Sequence, residues 1–98
     1  DPFLGSAMAA ARVRGFQGTA PSQLGAANTM LATAKHVAAY GGAEGGRDYD
    51  VVELSERTLW DVFLPPFEAA LRAGAWTIMA SFNEIGGTPA HASDWLLR

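Results

Sequence analysis

The sequence predicts an α/β fold with parallel strands, in the order helix, strand, helix, strand, helix. Two short apolar runs, 30–36 and 75–82, are each bounded by loop residues, as buried strands are. Segments with helical spacing precede, separate and follow them. Strands that alternate with helices pair in parallel through right-handed crossovers.

The first helix starts at Asp1-Pro2, where Asp can cap and Pro fits the first turn because its missing N–H costs nothing there. Leu4, Met8 and Ala11 recur at helical spacing, with Phe16 further on. Arg12 and Arg14 stand in the closing turns, and Gly15 and Gly18 are expected to end the pattern. Residues 19–29 read as a connection. Met30 to His36 is the first strand, and the glycine-rich stretch 41–48 that follows is a loop.

Ser55 is the expected N-cap of the second helix, with Glu56 favouring its dipole. Leu59, Phe63, Phe67 and Leu71 give one apolar face, and Pro65-Pro66 is expected to break or kink it. Gly74 ends this helix. Ala75 to Phe82 is the second strand and 83–89 a loop. Ser93 caps a third helix that begins Asp94-Trp95-Leu96-Leu97. A chain that starts on a cap and stops inside a helix is expected to be an excerpt. With two strands it should leave apolar faces uncovered.

Composition narrows the function. The 49 % of hydrophobic residues, with few charges, argues against disorder. Net charge is −3 and the seven basic residues are scattered, so no footprint for nucleic acid or an anionic membrane is present. The apolar runs are too short to span a bilayer. No cysteine is available for disulfides or thiolate metal sites.

Chemistry is expected after the strands, because parallel α/β architectures gather functional groups at strand carboxyl ends. Lys35, His36, Glu44, Arg47 and Asp48 follow the first strand; Met79, Phe82, Asn83 and Glu84 close the second. Neighbours on a regular strand point to opposite faces, so Lys35 and His36 share a ligand only where the strand ends or distorts. Two readings stand: a solvated Lys beside a packing His, or a pair of donors that grip hydroxyl groups. Glu44 and Arg47 are either a loop ion pair or a guanidinium aimed at an oxygen-rich ligand. Asp94 reads as a helix-start carboxylate and His91 as a loop residue. Two distant histidines make a metal site improbable. Trp60, Trp76 and Trp95 are expected in the core or in packing, with sugar stacking as the alternative.

The ordered strings go further. Ala32-Thr33-Ala34-Lys35-His36, Tyr40-Gly41 and Glu44-Gly45-Gly46-Arg47-Asp48-Tyr49 resemble the signature of family 3 glycoside hydrolases. So do Leu64-Pro65-Pro66-Phe67, Ala73-Gly74-Ala75, Met79-Ala80-Ser81-Phe82-Asn83, Gly87-Thr88-Pro89-Ala90 and Trp95-Leu96-Leu97. Asp1-Pro2 and Arg14-Gly15-Phe16-Gln17-Gly18 match the upstream stretch. The resemblance covers essentially all 98 residues.

It implies that residues 1–98 are an incomplete part of the N-terminal catalytic domain, a fragment of a (β/α)8 TIM-like barrel of the β-glucosidase type. Lys35 and His36 inherit sugar-hydroxyl binding at the cleavage subsite, over an unusual backbone, a non-proline cis peptide. Arg47 inherits a sugar-site or loop-ordering role. Met79 and Phe82 line the same subsite, where many relatives carry Tyr in place of Phe82. The implied mechanism is retaining, with two carboxyl groups and no cofactor or metal. Ser93-Asp94-Trp95 imitates the nucleophile motif, but no apolar strand precedes it and its register belongs to a helix start. Neither catalytic carboxylate is therefore expected in this segment, and the fragment alone is expected to be inactive.

The lack of a Pro-Gly-His element after Lys-His favours the glucosidase/xylosidase branch over the hexosaminidase one. The implied partners are a β-glucoside or oligosaccharide and the rest of the parent chain, meaning the remaining barrel and a C-terminal domain. A periplasmic or secreted compartment is implied in the same way. The alternatives are a β-xylosidase and a non-catalytic sugar-binding barrel.

Overall fold

The computed structural model describes residues 1–98. Helix α1 spans Pro2–Gln17, and Asp1 caps it: one carboxylate oxygen accepts from the N–H of Phe3 at 2.8 Å and of Leu4 at 3.2 Å. Gly15 does not end the helix. Gly18 does, at φ 87°, with its N–H on the Arg14 carbonyl.

Strand β1 is Thr33–Val37 and β3 is Thr77–Ala80. They pair in parallel, with Thr33 opposite Thr77 and Lys35 opposite Met79. The two threonine hydroxyls bond at 2.7 Å, and Thr77 also donates to the Ala32 carbonyl. Both strands are shorter than their apolar runs. Met30 and Leu31 precede β1 and are exposed. The strand alternates exposed and half-buried positions rather than being buried on both faces, because it has one neighbouring strand and one covering layer of helices.

Between the strands the helix is broken as Pro65-Pro66 requires. Ser55 caps α2 (Glu56–Thr58), accepting from the Thr58 N–H. Leu59–Phe63 then form a π turn, closed by Leu64 N–H on the Leu59 carbonyl at 2.9 Å, and α3 (Pro65–Arg72) restarts. Proline has no N–H to give and its ring crowds the preceding turn, so that turn widens. The apolar face holds for Leu59, Phe63 and Phe67, which pack at the carboxyl end of β1 with Val37, Ala38, Ala39 and Val52. It fails at Leu71, which is exposed; Ala70 takes the inward place against Val13 and Ala32. That layer is built of small side chains, and α1 meets α3 closely: a Cβ on Gly5 would lie 3.1 Å from the Pro66 ring.

A second sheet has no counterpart in the sequence reading. It joins β2 (Val51–Val52), β4 (Glu84–Ile85) and β5 (Thr88–Pro89), with β2 and β4 parallel and β4 and β5 antiparallel. Ser93 caps α4 (Asp94–Leu97), as expected.

The expected uncovered faces are present. Only 12 of the 98 residues are buried, whereas Phe3, Leu4, Met8 and Phe16 along α1 are all exposed. An open groove of about 540 Å³ lies between α1 and β1, lined by Met8, Phe16, Met30, Leu31 and Phe67. The tryptophans are not core residues: Trp60, Trp76 and Trp95 are all more than half exposed. Trp60 and Trp95 meet edge to face, with ring centres 5.9 Å apart. No helix is long and apolar enough to cross a membrane.

Candidate active site at the strand ends

The carboxyl ends of β1 and β3 meet in a group of aromatic rings. His36 lies 5.8 Å from Phe82 and 5.0 Å from Tyr40, centre to centre. Phe82 stands in the middle, with Tyr40 at 6.2 Å, Tyr49 at 5.2 Å and His91 at 5.9 Å. Four ring side chains, one from β1 and three from two loops, therefore surround one residue just after β3.

The backbone at β1 is irregular where the chemistry is expected. The Lys35–His36 peptide bond is cis, as the resemblance implies, and so is Val37–Ala38. The parallel ladder shifts register between Lys35 and Val37, where Ala80 faces Val37 directly after Met79 faces Lys35. Lys35 is exposed beside the groove, and His36 is half-buried within the ring group. Met79, opposite Lys35 in the ladder, keeps 42 % of its surface exposed, as does Phe82. Four of the five expected residues are thus brought to one sheet end.

Beneath Phe82 the support is polar and buried. Ser81 and Asn83, on either side of it, are fully buried. The Ser81 hydroxyl donates to the Asn83 side-chain oxygen, and the Asn83 amide donates to the carbonyls of Ala38 and Glu84. The Ser81 N–H bonds the Val37 carbonyl. Every side-chain polar atom of this pair therefore has a partner, as burial requires, and Phe82 is held between two anchored neighbours.

Arg47 is placed differently. Its Nε lies 3.8 Å from Asp50, not against Glu44, and its side chain is 78 % exposed. No hydrogen bond or ring contact joins it to His36 or Phe82. The Glu44–Arg47 ion pair is absent because the chain turns between them: the Arg47 N–H bonds the Glu44 carbonyl, and Gly45 and Gly46 both take positive φ.

Tyr40, in the same loop, donates its hydroxyl to Asp48 at 2.5 Å. That bond to an anion pushes the Tyr40 phenol up to about 12, with burial and the charge of Asp48 adding to it. Tyr49 and His91 are the residues that sequence spacing missed. They reach Phe82 by loop paths that no periodicity records.

Asp94 is the first residue of α4. Its side chain is 82 % exposed and lies 3.5 Å from Arg98, one turn along. Ser93 caps the helix above it. This is the helix-start carboxylate expected from the spacing.

A layer of helices beside two parallel strands, with rings and a Lys-His pair at the strand ends, defines an α/β class whose candidate site lies at the carboxyl ends of the strands. The chain belongs to glycosyl hydrolase family 3: the profile described as its N terminal domain matches residues 1–98. A periplasmic beta-glucosidase of Salmonella typhimurium is 37 % identical over 98 residues, which are all of this chain and 12 % of that protein. A beta-xylosidase of Formosa agariphila is 40 % identical over 99 residues, again all of this chain and 14 % of that protein. The solved beta-glucosidase of Listeria innocua in complex with glucose superposes with a TM-score of 0.94 at 44 % identity, over all of this chain and 14 % of that one. The chain therefore spans about one eighth of the relatives it matches.

Proposed function

We propose that these residues are part of a (β/α)8 barrel and form one wall of the sugar-binding subsite in a retaining β-glucosidase. The observation that carries this reading is the meeting of His36, Met79 and Phe82 with Lys35 at the ends of two parallel strands. An ammonium group offers three donors and an imidazole one or two, which suits the hydroxyls of a pyranose. Phe82 and Met79 supply the apolar surface that a sugar ring's C–H face needs. Arg47 orders the loop above them through Asp50. In a retaining mechanism one carboxylate attacks the anomeric carbon and a second carboxyl group serves as acid and then base. Both stand elsewhere in the longer protein, in the rest of the barrel and a C-terminal domain, so residues 1–98 alone are inactive. Asp94 is spent on its helix. The name of the Salmonella relative supports a periplasmic or secreted compartment.

The test uses the longer protein that carries these residues, assayed on p-nitrophenyl β-D-glucoside and β-D-xyloside. Nitrophenol release from the glucoside is expected. Lys35→Ala should lower kcat/KM by about 10–1000-fold, or ~1.4–4 kcal/mol of transition-state stabilisation. A loss under about twofold would remove Lys35 from the substrate site. The identity to the Formosa β-xylosidase favours a second reading, the same chemistry on a xyloside, and a xyloside preference would select it.

A further inference from the structure

Chain added to a surface covers atoms and uncovers none, so groups already buried within residues 1–98 stay buried in the longer protein. Asn83 is such a group: it is fully buried and directly follows Phe82. The Ser81 hydroxyl donates to its side-chain oxygen. Its amide donates to the carbonyl of Ala38 at 3.3 Å and of Glu84 at 3.4 Å. Carbonyls only accept, so the side chain can face only one way. Its own main-chain carbonyl accepts from the Ala90 N–H at 3.1 Å. Each of these places adjoins a ring. Ala38 lies midway between His36 and Tyr40, Phe82 precedes Asn83, and Ala90 precedes His91. One buried residue therefore ties together the three stretches of chain that carry four of the five rings at the strand ends.

The opposite ends of the strands have an amide clamp too. Gln17, 6 % exposed, accepts from the N–H of Ala32 and of Trp76, just before β1 and β3, and donates to the Gly74 carbonyl. The two clamps join the same pair of strands and differ in the end they hold. In parallel α/β architectures chemistry gathers at the carboxyl ends, which are the ends Asn83 holds. Ala38 is itself fully buried, so its carbonyl has no water to turn to once the amide is gone. The chain between His36 and Tyr40 is then free to shift, and a shift of about 1 Å at a site costs about 100-fold in rate. We infer that Asn83 is a positioning residue for the sugar subsite, holding His36 against Phe82. This inference rests on the β-glucosidase reading.

The experiment uses the longer protein and reads kcat/KM on p-nitrophenyl β-D-glucoside per folded protein, with melting followed by circular dichroism. Asn83→Ala and Gln17→Ala should both lower the melting temperature. Asn83→Ala should also lower kcat/KM about 10–100-fold, whereas Gln17→Ala should leave it within about threefold. Asn83→Asp adds a readout that packing alone does not move. Burial raises the pKa of a carboxyl group, and the neutral acid has an O–H for Ala38 and an oxygen for Ser81, as the amide does. Its kcat/KM relative to wild type should therefore rise as pH falls from about 7 to about 5. Equal kcat/KM losses in Asn83→Ala and Gln17→Ala, or an Asn83→Asp ratio that is flat with pH, would overturn the inference while the glucosidase reading stands. If Asn83→Ala does not fold, Ser81→Ala takes its place, since it only unties the amide; a loss of about 3–10-fold is expected, and one under about twofold would overturn the inference. A wild-type protein inactive on the glucoside would overturn the glucosidase reading, and the positioning role with it.

Discussion

At Tyr40 a phenol hydroxyl meets the carboxylate of Asp48, and losing the proton would set two anions against each other. The phenol is raised from 10.0 to about 12 first by the hydrogen bond that its protonated form gives Asp48, then by burial, and only then by that repulsion. A group whose folded value is raised contributes stability that is whole below its unfolded value. The contribution is therefore intact below pH 10 and is lost as pH rises through about 12. In a spectrophotometric titration, the phenolate signal that disappears in Tyr40→Phe should rise near pH 12. Asp48→Asn should return it toward 10.0, since a neutral acceptor holds the proton less firmly. An unmoved titration in Asp48→Asn would remove the carboxylate as the cause.

At the scale of elements, caps and breaks were legible because they are local chemistry. Asp1, Ser55 and Ser93 each accept the backbone N–H groups expected of them, and Pro65-Pro66 widens the turn before it. The same logic applies to Asp94. An exposed carboxylate in the first turn, paired with Arg98 one turn on, contributes little to stability. Asp94→Asn in the longer protein should leave kcat within about twofold and the melting temperature nearly unchanged. A loss of several orders of magnitude would instead make Asp94 the nucleophile. The second sheet was not legible, because β2, β4 and β5 are two residues each and two residues carry no period. Leu71 misled because its spacing fits a stripe that Ala70 completes instead.

Across the whole molecule, one side chain ties the layers together. Gln17 is 6 % exposed at the end of α1; its amide donates to the Gly74 carbonyl at 2.7 Å. Its oxygen accepts from Ala32 at 3.0 Å and from Trp76 at 3.3 Å. The first helix, the approach to β1 and the approach to β3 all meet there. Gln17→Ala leaves three backbone groups without partners and should destabilise the longer protein by about 2–3 kcal/mol in denaturant unfolding. Gln17→Glu keeps the acceptor but sets a buried carboxylate oxygen against the Gly74 carbonyl, so a loss at least as large is expected. Equal stability of all three would show that the junction carries no energy. Long-range ties of this kind were not legible, since 57 residues separate Gln17 from Gly74. The site was half legible: Lys35, His36, Met79 and Phe82 fall at strand ends that hydrophobic runs locate, whereas Tyr49 and His91 arrive by loops. Of the core or packing roles expected for the tryptophans, packing holds for Trp60 and Trp95, which meet edge to face, and a core place holds for none, because burial is a property of neighbours, not of residue type.

The Gln17 junction also says how such a domain can be recombined. One amide reads three stretches of main chain, so a crossover that trades α1 for a homologue's, but keeps the resident strands, asks a foreign side chain to match carbonyl and N–H positions it did not coevolve with. Grafts that carry residues 17–76 as one block keep every donor with its own acceptor.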